Sequence, residues 1–349
     1  MTVAVSRRLA YIDTWRCIAV TLVILGHLRF NDSVSSLVSG LGLDAIFDYG
    51  YVGVLIFFFI SGYVVSTTCL LEVATDRKFS APAFYVRRIF RIIPPLSIYL
   101  LTCLVLGSRG LLDFSATNFV GAATYLCNTT LIYCGWYGGH TWSLAFEEQF
   151  YLLFPFVFAL IELHKKPSLP RLLPCVAIAL LPLVFSVEWI GATGYVATYA
   201  LFTLGYLFAR HQSSIERLVA RHSHLLLVVC GCLVFLPMTG FEDPDFETRY
   251  RLVYVATIPL LVVSTGTAGS FVKRVFENRV LAYIGRISYS IYLWQELILG
   301  RDRSGLPAVT QIGLLLLMLV MCAALFEVFE KRMIRMGRTL SDRVQHLGA

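Results

Sequence analysis

The sequence predicts an all-α, polytopic membrane protein: a bundle of about ten transmembrane helices with both termini in the cytoplasm. Three observations carry this. Of its 349 residues, 57% are hydrophobic and 15% charged, at a mean hydropathy of +0.72, whereas soluble domains average about 25% charged. Ten apolar stretches are long enough, or nearly so, to cross a hydrocarbon core about 30 Å thick. Lysine and arginine alternate in density from loop to loop, as the positive-inside rule requires.

The stretches cover approximately residues 12–30, 50–71, 89–106, 143–163, 171–190, 193–209, 224–238, 251–268, 281–300 and 309–329. The first follows Arg7 and Arg8 and has no small-residue cleavage site after it, so it reads as a retained span rather than a signal peptide. The fifth and sixth are joined as tightly as a helical hairpin, and the seventh is short and ends at Pro237. With the N-terminus inside, 21 of the 29 basic residues fall in cytoplasmic segments, five in outer loops, and Arg16, Arg29 and Arg286 within or at the ends of spans. This alternation accounts for the net charge of +7 without a nucleic-acid partner. One membrane domain is expected over residues 1–335, then a short basic cytoplasmic tail over 336–349, with no second domain.

Ionisable residues inside a bilayer are expensive and mark functional positions. Arg16 and His27 are eleven residues apart in the first span. That places them about 20° apart around a helix and about 16 Å apart along it. An imidazole serves as a general base near neutral pH. Arg16 has Asp13 one turn before it; an i,i+3 ion pair and an anion-binding role are both compatible with that spacing. Arg88 and Arg91 share a face at the inner start of the third span, and guanidinium forks suit phosphate as well as lipid headgroups. In TWSLAFEEQFYLLFPF, Glu147 and Glu148 lie near the outer start of the fourth span. One face there gathers Ser143, Glu147 and Tyr151 at i,i+4 spacing, and this end is expected to be level with His27. Ser61 and Gly62, in FFFISGY, read as close helix packing at small residues.

Of nine cysteines, seven fall in apolar helices, where a thiol behaves as a small hydrophobe. Cys127 and Cys134 share the outer loop 107–141; a disulfide and two free thiols are both compatible with the sequence. No spacing resembles a zinc site, and no metal is expected. The loop 31–49 carries Asp32, Asp44 and Asp48 without a basic residue. The loop 107–141, ending GWYGGHTWS, is the longest outer connection and too aromatic for disorder.

In order along the chain, YIDTWRCIAVTLVILGH, FFFISGYVVS, RRIFRIIPPL, TWSLAFEEQFYLLFP, IGRISYSIYLW and, weakly, FEKRMIR resemble the acyltransferase-3 family of integral-membrane acyltransferases, which includes bacterial sugar O-acetyltransferases. The resemblance runs from about residue 7 to 335. It implies a multi-pass protein of a bacterial inner membrane that moves an acyl group, acetyl by family habit, from cytoplasmic acyl-CoA to a hydroxyl of a carbohydrate or lipid-linked glycan. Acyl-CoA is then a co-substrate, and no bound cofactor is expected. His27 is implied as the catalytic histidine, with Glu147 as the acidic partner and Glu148 beside it. Arg16, Arg88 and Arg91 are implied on the donor side, and Asp13, Ser61, Trp142, Ser143 and Tyr151 support them. The family commonly has histidine after YLW, whereas this chain has Gln295, which can hydrogen-bond but cannot act as a base. A glycolipid or small-solute transporter is the rival reading, disfavoured by the lack of an inverted repeat or paired broken helices.

Overall fold

A computed structural model describes residues 2–28, 36, 39–40, 49–74, 79–163, 191–235, 244–300 and 306–347. The expected fifth span, 171–190, lies outside the described residues, as do most of the loop 31–49, Arg29, Cys175, Arg301 and Arg303. Among the described residues the regular structure is helical, without a strand. Six helices are long and apolar enough to cross a membrane: Ala10–Leu28, Tyr49–Ala74, Ala81–Ser108, Gly135–Glu162, Tyr250–Thr267 and Val309–His346. A seventh joins them if Gln212–Arg221 and Ser223–Phe235, bent by 91°, count as one span.

The helices group into two compact units. The first takes Met1–Leu70 and Val196–Val320. It holds α1 (Thr2–Leu28), most of α2 (Tyr49–Ala74) and α7 (Gly191–Arg210), then α8 (Gln212–Arg221), α9 (Ser223–Phe235), α10 (Pro244–Thr267), α11 (Ser270–Phe276), α12 (Arg279–Arg286), α13 (Ser288–Leu299) and most of α14 (Ala308–Leu325). Helix α1 is the hub, packing on α10, α11, α12 and α13. Two polar side chains pin it. Trp15 Nε1 donates to Thr265 Oγ1 at 2.9 Å, and Thr14 Oγ1 donates to the Phe276 carbonyl at 2.8 Å. Both remove a buried donor that would otherwise cost about 1–3 kcal/mol unpaired.

The ninth expected span, 281–300, is two helices rather than one. They meet at Ile287. Just before that point a Cβ on Gly285 would lie 1.7 Å from the Asp13 carbonyl oxygen, so α12 presses its bare backbone onto α1. The FFFISGY stretch behaves as expected of small residues: a Cβ on Gly62 would lie 2.4 Å from the Phe202 carbonyl oxygen, so the backbones of α2 and α7 touch there.

The second unit takes Leu71–Tyr195 and Met321–Ala349. Its main helix, α3 (Ala81–Ser108), starts at Ser80, whose hydroxyl accepts from Ala83 N, with proline in the first turn. Short helices α4 (Ala116–Ala123) and α5 (Gly135–Gly139) lead into α6 (Trp142–Phe158), which ends in a π-helical turn over Ala159–Leu163. Residues 336–347, expected as a tail, continue α15 (Lys331–Leu347), which packs along α3.

Hydrogen bonds give the depth at which α6 begins. Tyr85 OH donates to the Leu152 carbonyl at 2.7 Å, and Tyr99 OH donates to the Tyr137 carbonyl at 2.8 Å. The end of the 107–141 loop is therefore level with Tyr99, nine residues or about 14 Å short of the end of α3. The loop dips into its unit instead of resting on top of it.

Candidate active site: two polar clusters

Each unit carries one cluster of the expected residues. In the first, His27 sits near the end of α1. Its Nδ1 lies 2.9 Å from the Val23 carbonyl oxygen. A carbonyl only accepts, so Nδ1 carries the proton and Nε2 is the nitrogen left for chemistry. Nε2 lies 2.6 Å from Glu296 Oε1 on α13, so one proton is shared across that contact. The His27 side chain is 27% exposed and that of Glu296 only 3%. The imidazole is thus the more exposed member, and the carboxylate is its buried support. Gln295 is also fully buried and close to the same imidazole. At the other end of α1, Arg16 and Asp13 form an i,i+3 pair at 3.7 Å; of the two compatible readings, the ion pair is present. Ser61 is buried in α2.

Sequence reading passed over Glu296. It stopped at position 295, where a family habit is broken, and left the next residue without a role. The available signal was a second polar residue in an apolar run: a carboxylate in ISYSIYLWQELIL has no inexpensive reason to be there.

In the second unit, Tyr151 OH donates a hydrogen bond to Glu147 Oε1, so the two share the i,i+4 face. Ser143 is buried one turn earlier, and Trp142 meets Phe146 edge-on at 5.9 Å. The Arg88 guanidinium lies over the Tyr151 ring at 4.7 Å, and Glu148 is within electrostatic reach of Glu147 and Arg88. Arg88 and the glutamates were expected at opposite ends of their spans. They share one cluster because α6 begins so deep that Tyr151 and Leu152 come level with residues 85–88. Arg91 is half-buried on the same helix. Arg87, by contrast, is structural: it pairs with Glu72 at 2.8 Å and donates to Ser341 Oγ at 2.7 Å.

The loop supplies a residue the sequence did not single out. Burial first, then the Glu148 and Glu147 carboxylates, push the Tyr125 phenol above its ordinary pKa, so it stays a protonated donor facing two acids. Tyr125 occupies a left-handed conformation (φ 56°), which costs a non-glycine residue about 1–3 kcal/mol, and the surrounding bonds hold it there. Asn128 and Gln149 exchange amide hydrogen bonds at 3.0 and 3.1 Å, and Tyr195 OH donates to the Asn128 carbonyl. Asn118 Nδ2 donates to the Tyr133 carbonyl at 2.9 Å. Cys127 and Cys134 are joined by a disulfide, resolving the alternatives the sequence left open. With seven residues of separation, loop-closure entropy limits its contribution to about 2.5 kcal/mol. Cys127→Ser is therefore expected to give a folded protein whose melting temperature falls by a few degrees. A melt in detergent with and without reductant checks this; collapse of the fold would show that the bond does more than close a loop.

Comparison with known proteins agrees with the motifs. An acyltransferase domain model, that of the acyltransferase-3 family, matches residues 9–328. The peptidoglycan O-acetyltransferase OatA of Listeria monocytogenes is 27% identical over 315 residues, covering 81% of this chain and 48% of that protein. The Bacillus subtilis protein YrhL, provisionally assigned as a peptidoglycan O-acetyltransferase, is 26% identical over 314 residues, covering 81% and 47%. The chain thus spans about half the length of these relatives. No solved structure matches it. With a family match over nearly its whole length, this chain belongs to the acyltransferase-3 family of membrane acyltransferases.

Proposed function

We propose that the chain is an O-acyltransferase that moves an acyl group, acetyl by kinship with its relatives, to a hydroxyl of a glycan. The observation that carries this reading is the His27–Glu296 pair: a partly exposed imidazole with its tautomer set by Val23 and a buried carboxylate on Nε2. With the pair's shared proton released and the Oε1 contact open, the acceptor hydroxyl gives its proton to Nε2, the contact closes again around that proton, and the acceptor oxygen attacks the thioester carbonyl. The carbon–sulfur bond breaks, and the thiolate leaves and is protonated. Glu296 stabilises the imidazolium while the proton is held. The names of the relatives favour a cell-wall glycan as acceptor.

Acyl-CoA is the donor in this reading, approaching from the cytoplasm, with Arg88 and Arg91 of the second unit serving its phosphates. The loop-by-loop alternation of basic residues supports ten spans with both termini inside, in the plasma membrane. In the test, the full chain is purified into proteoliposomes and given acyl-labelled acetyl-CoA and muropeptide or polysaccharide fragments, which are then analysed by mass spectrometry. The expected product is a labelled ester on the glycan. A glycan that crosses the bilayer unmodified would replace this reading with transport.

A further inference from the structure

The C-terminal helix carries a feature that the transfer reaction does not use. Along α15, Arg332, Arg335 and Arg343 line a groove of about 660 Å³ whose apolar side is Phe90 of α3 with Met336 and Leu340. The three arginines share one stripe, since Arg343 is eleven residues after Arg332 and so about 20° from it. The helix is held in place rather than loosely attached. A Cβ on Gly337 would lie 2.6 Å from Phe90 Cβ, and Arg87 bonds to Ser341 from below. All three arginines are exposed and have no acidic partner among the described residues, while neighbouring Lys331 pairs with Glu327.

The surroundings identify the occupant. On α3, Ile89 is 52%, Leu101 52% and Val105 56% exposed; they point in different directions around the helix, and in a spanning helix exposed apolar side chains meet lipid. The guanidiniums follow the apolar stretch of α14 in sequence and lie beside Phe90 near the start of α3, and a basic cluster next to a spanning helix attracts anionic headgroups. Arginine forks match phosphate oxygens two at a time, and Met336 and Leu340, both exposed, offer contact to the first carbons of acyl chains. Thr339 is the one uncharged polar side chain lining the groove, so beyond the guanidiniums there is little to read a base or sugar. We propose that the groove formed by Phe90, Met336, Leu340 and the Arg332–Arg335–Arg343 stripe is a binding site for one anionic phospholipid, held by its phosphate. The proposal needs only that the chain sits in a bilayer, and it stands or falls independently of the transfer reaction.

The test uses the full chain in nanodiscs of phosphatidylcholine with increasing phosphatidylglycerol, and native mass spectrometry counts retained lipid. The parent is expected to retain phosphatidylglycerol in preference to phosphatidylcholine. Each basic contact near a membrane surface contributes roughly fivefold. Arg332→Gln with Arg335→Gln and Arg343→Gln should therefore lose on the order of a hundredfold in apparent affinity. Arg332→Gln alone should lose roughly fivefold and serves if the triple variant folds poorly. A charge-matched control, Arg217→Gln with Arg221→Gln and Arg274→Gln, should retain the lipid. Equal loss in the control would reduce the effect to bulk charge and overturn the site. Displacement of phosphatidylglycerol by coenzyme A would also overturn the lipid assignment and give the groove to a nucleotide phosphate.

Discussion

Glu296→Gln is expected to slow acyl transfer by roughly a hundredfold to ten-thousandfold, the range that general acid–base catalysis commonly contributes. The substitution keeps the shape of the side chain and removes its charge. Nε2 of His27 would then face an amide, which cannot stabilise an imidazolium. His27→Gln should cost a similar factor, and the double variant little more than either single one, because groups acting as a unit are not additive. Glutamine is preferable to alanine here. Removing one partner of a buried ion pair leaves an uncompensated charge worth about 3–5 kcal/mol, and lost stability would mask lost chemistry. Single-turnover transfer from labelled donor, with melting temperature measured alongside, separates the two. A Glu296→Gln enzyme that transfers at the parental rate would remove the carboxylate from the mechanism.

The second large effect is on stability. Gly285→Ala would ordinarily help a helix by about 1 kcal/mol. Here the added carbon would lie 1.7 Å from the Asp13 oxygen and 2.5 Å from its carbonyl carbon, both backbone atoms that no rotamer change can move. Helices α1 and α12 would have to separate by about an ångström or more, at a cost of about 1–3 kcal/mol or above. The strain also reaches the site, because α13, which carries Glu296, follows α12 directly through Ile287. A lowered melting temperature together with slowed transfer is expected. A variant that melts at or above the parental temperature would show that the close approach is not required.

Some of this architecture was legible in the sequence because single residues carry it. His27 shows itself as an ionisable group in an apolar run, and Ser143, Glu147 and Tyr151 follow from helical periodicity alone. What was not legible depends on backbone depth. No count of apolar residues reveals that the 107–141 loop descends to the level of Tyr99, and so none places Arg88 against Tyr151. Nor does hydropathy show that the stretch 281–300 breaks at Ile287, since the apolar residues run on past that point. Glu296 was hidden for a different reason: the unusual residue beside it, Gln295, drew the interpretation to itself.

The descending loop also has an electrical consequence. On α3, Arg88 and Tyr99 are eleven residues apart, about 17 Å, against about 30 Å for a full hydrocarbon core. Under the transfer reading proposed above, each charge moved through the membrane potential would cost about 2.3 kcal/mol per 100 mV. An acyl group carried as a neutral thioester or ester would cross without electrical work, so transfer by that route would be insensitive to the energised state of the membrane.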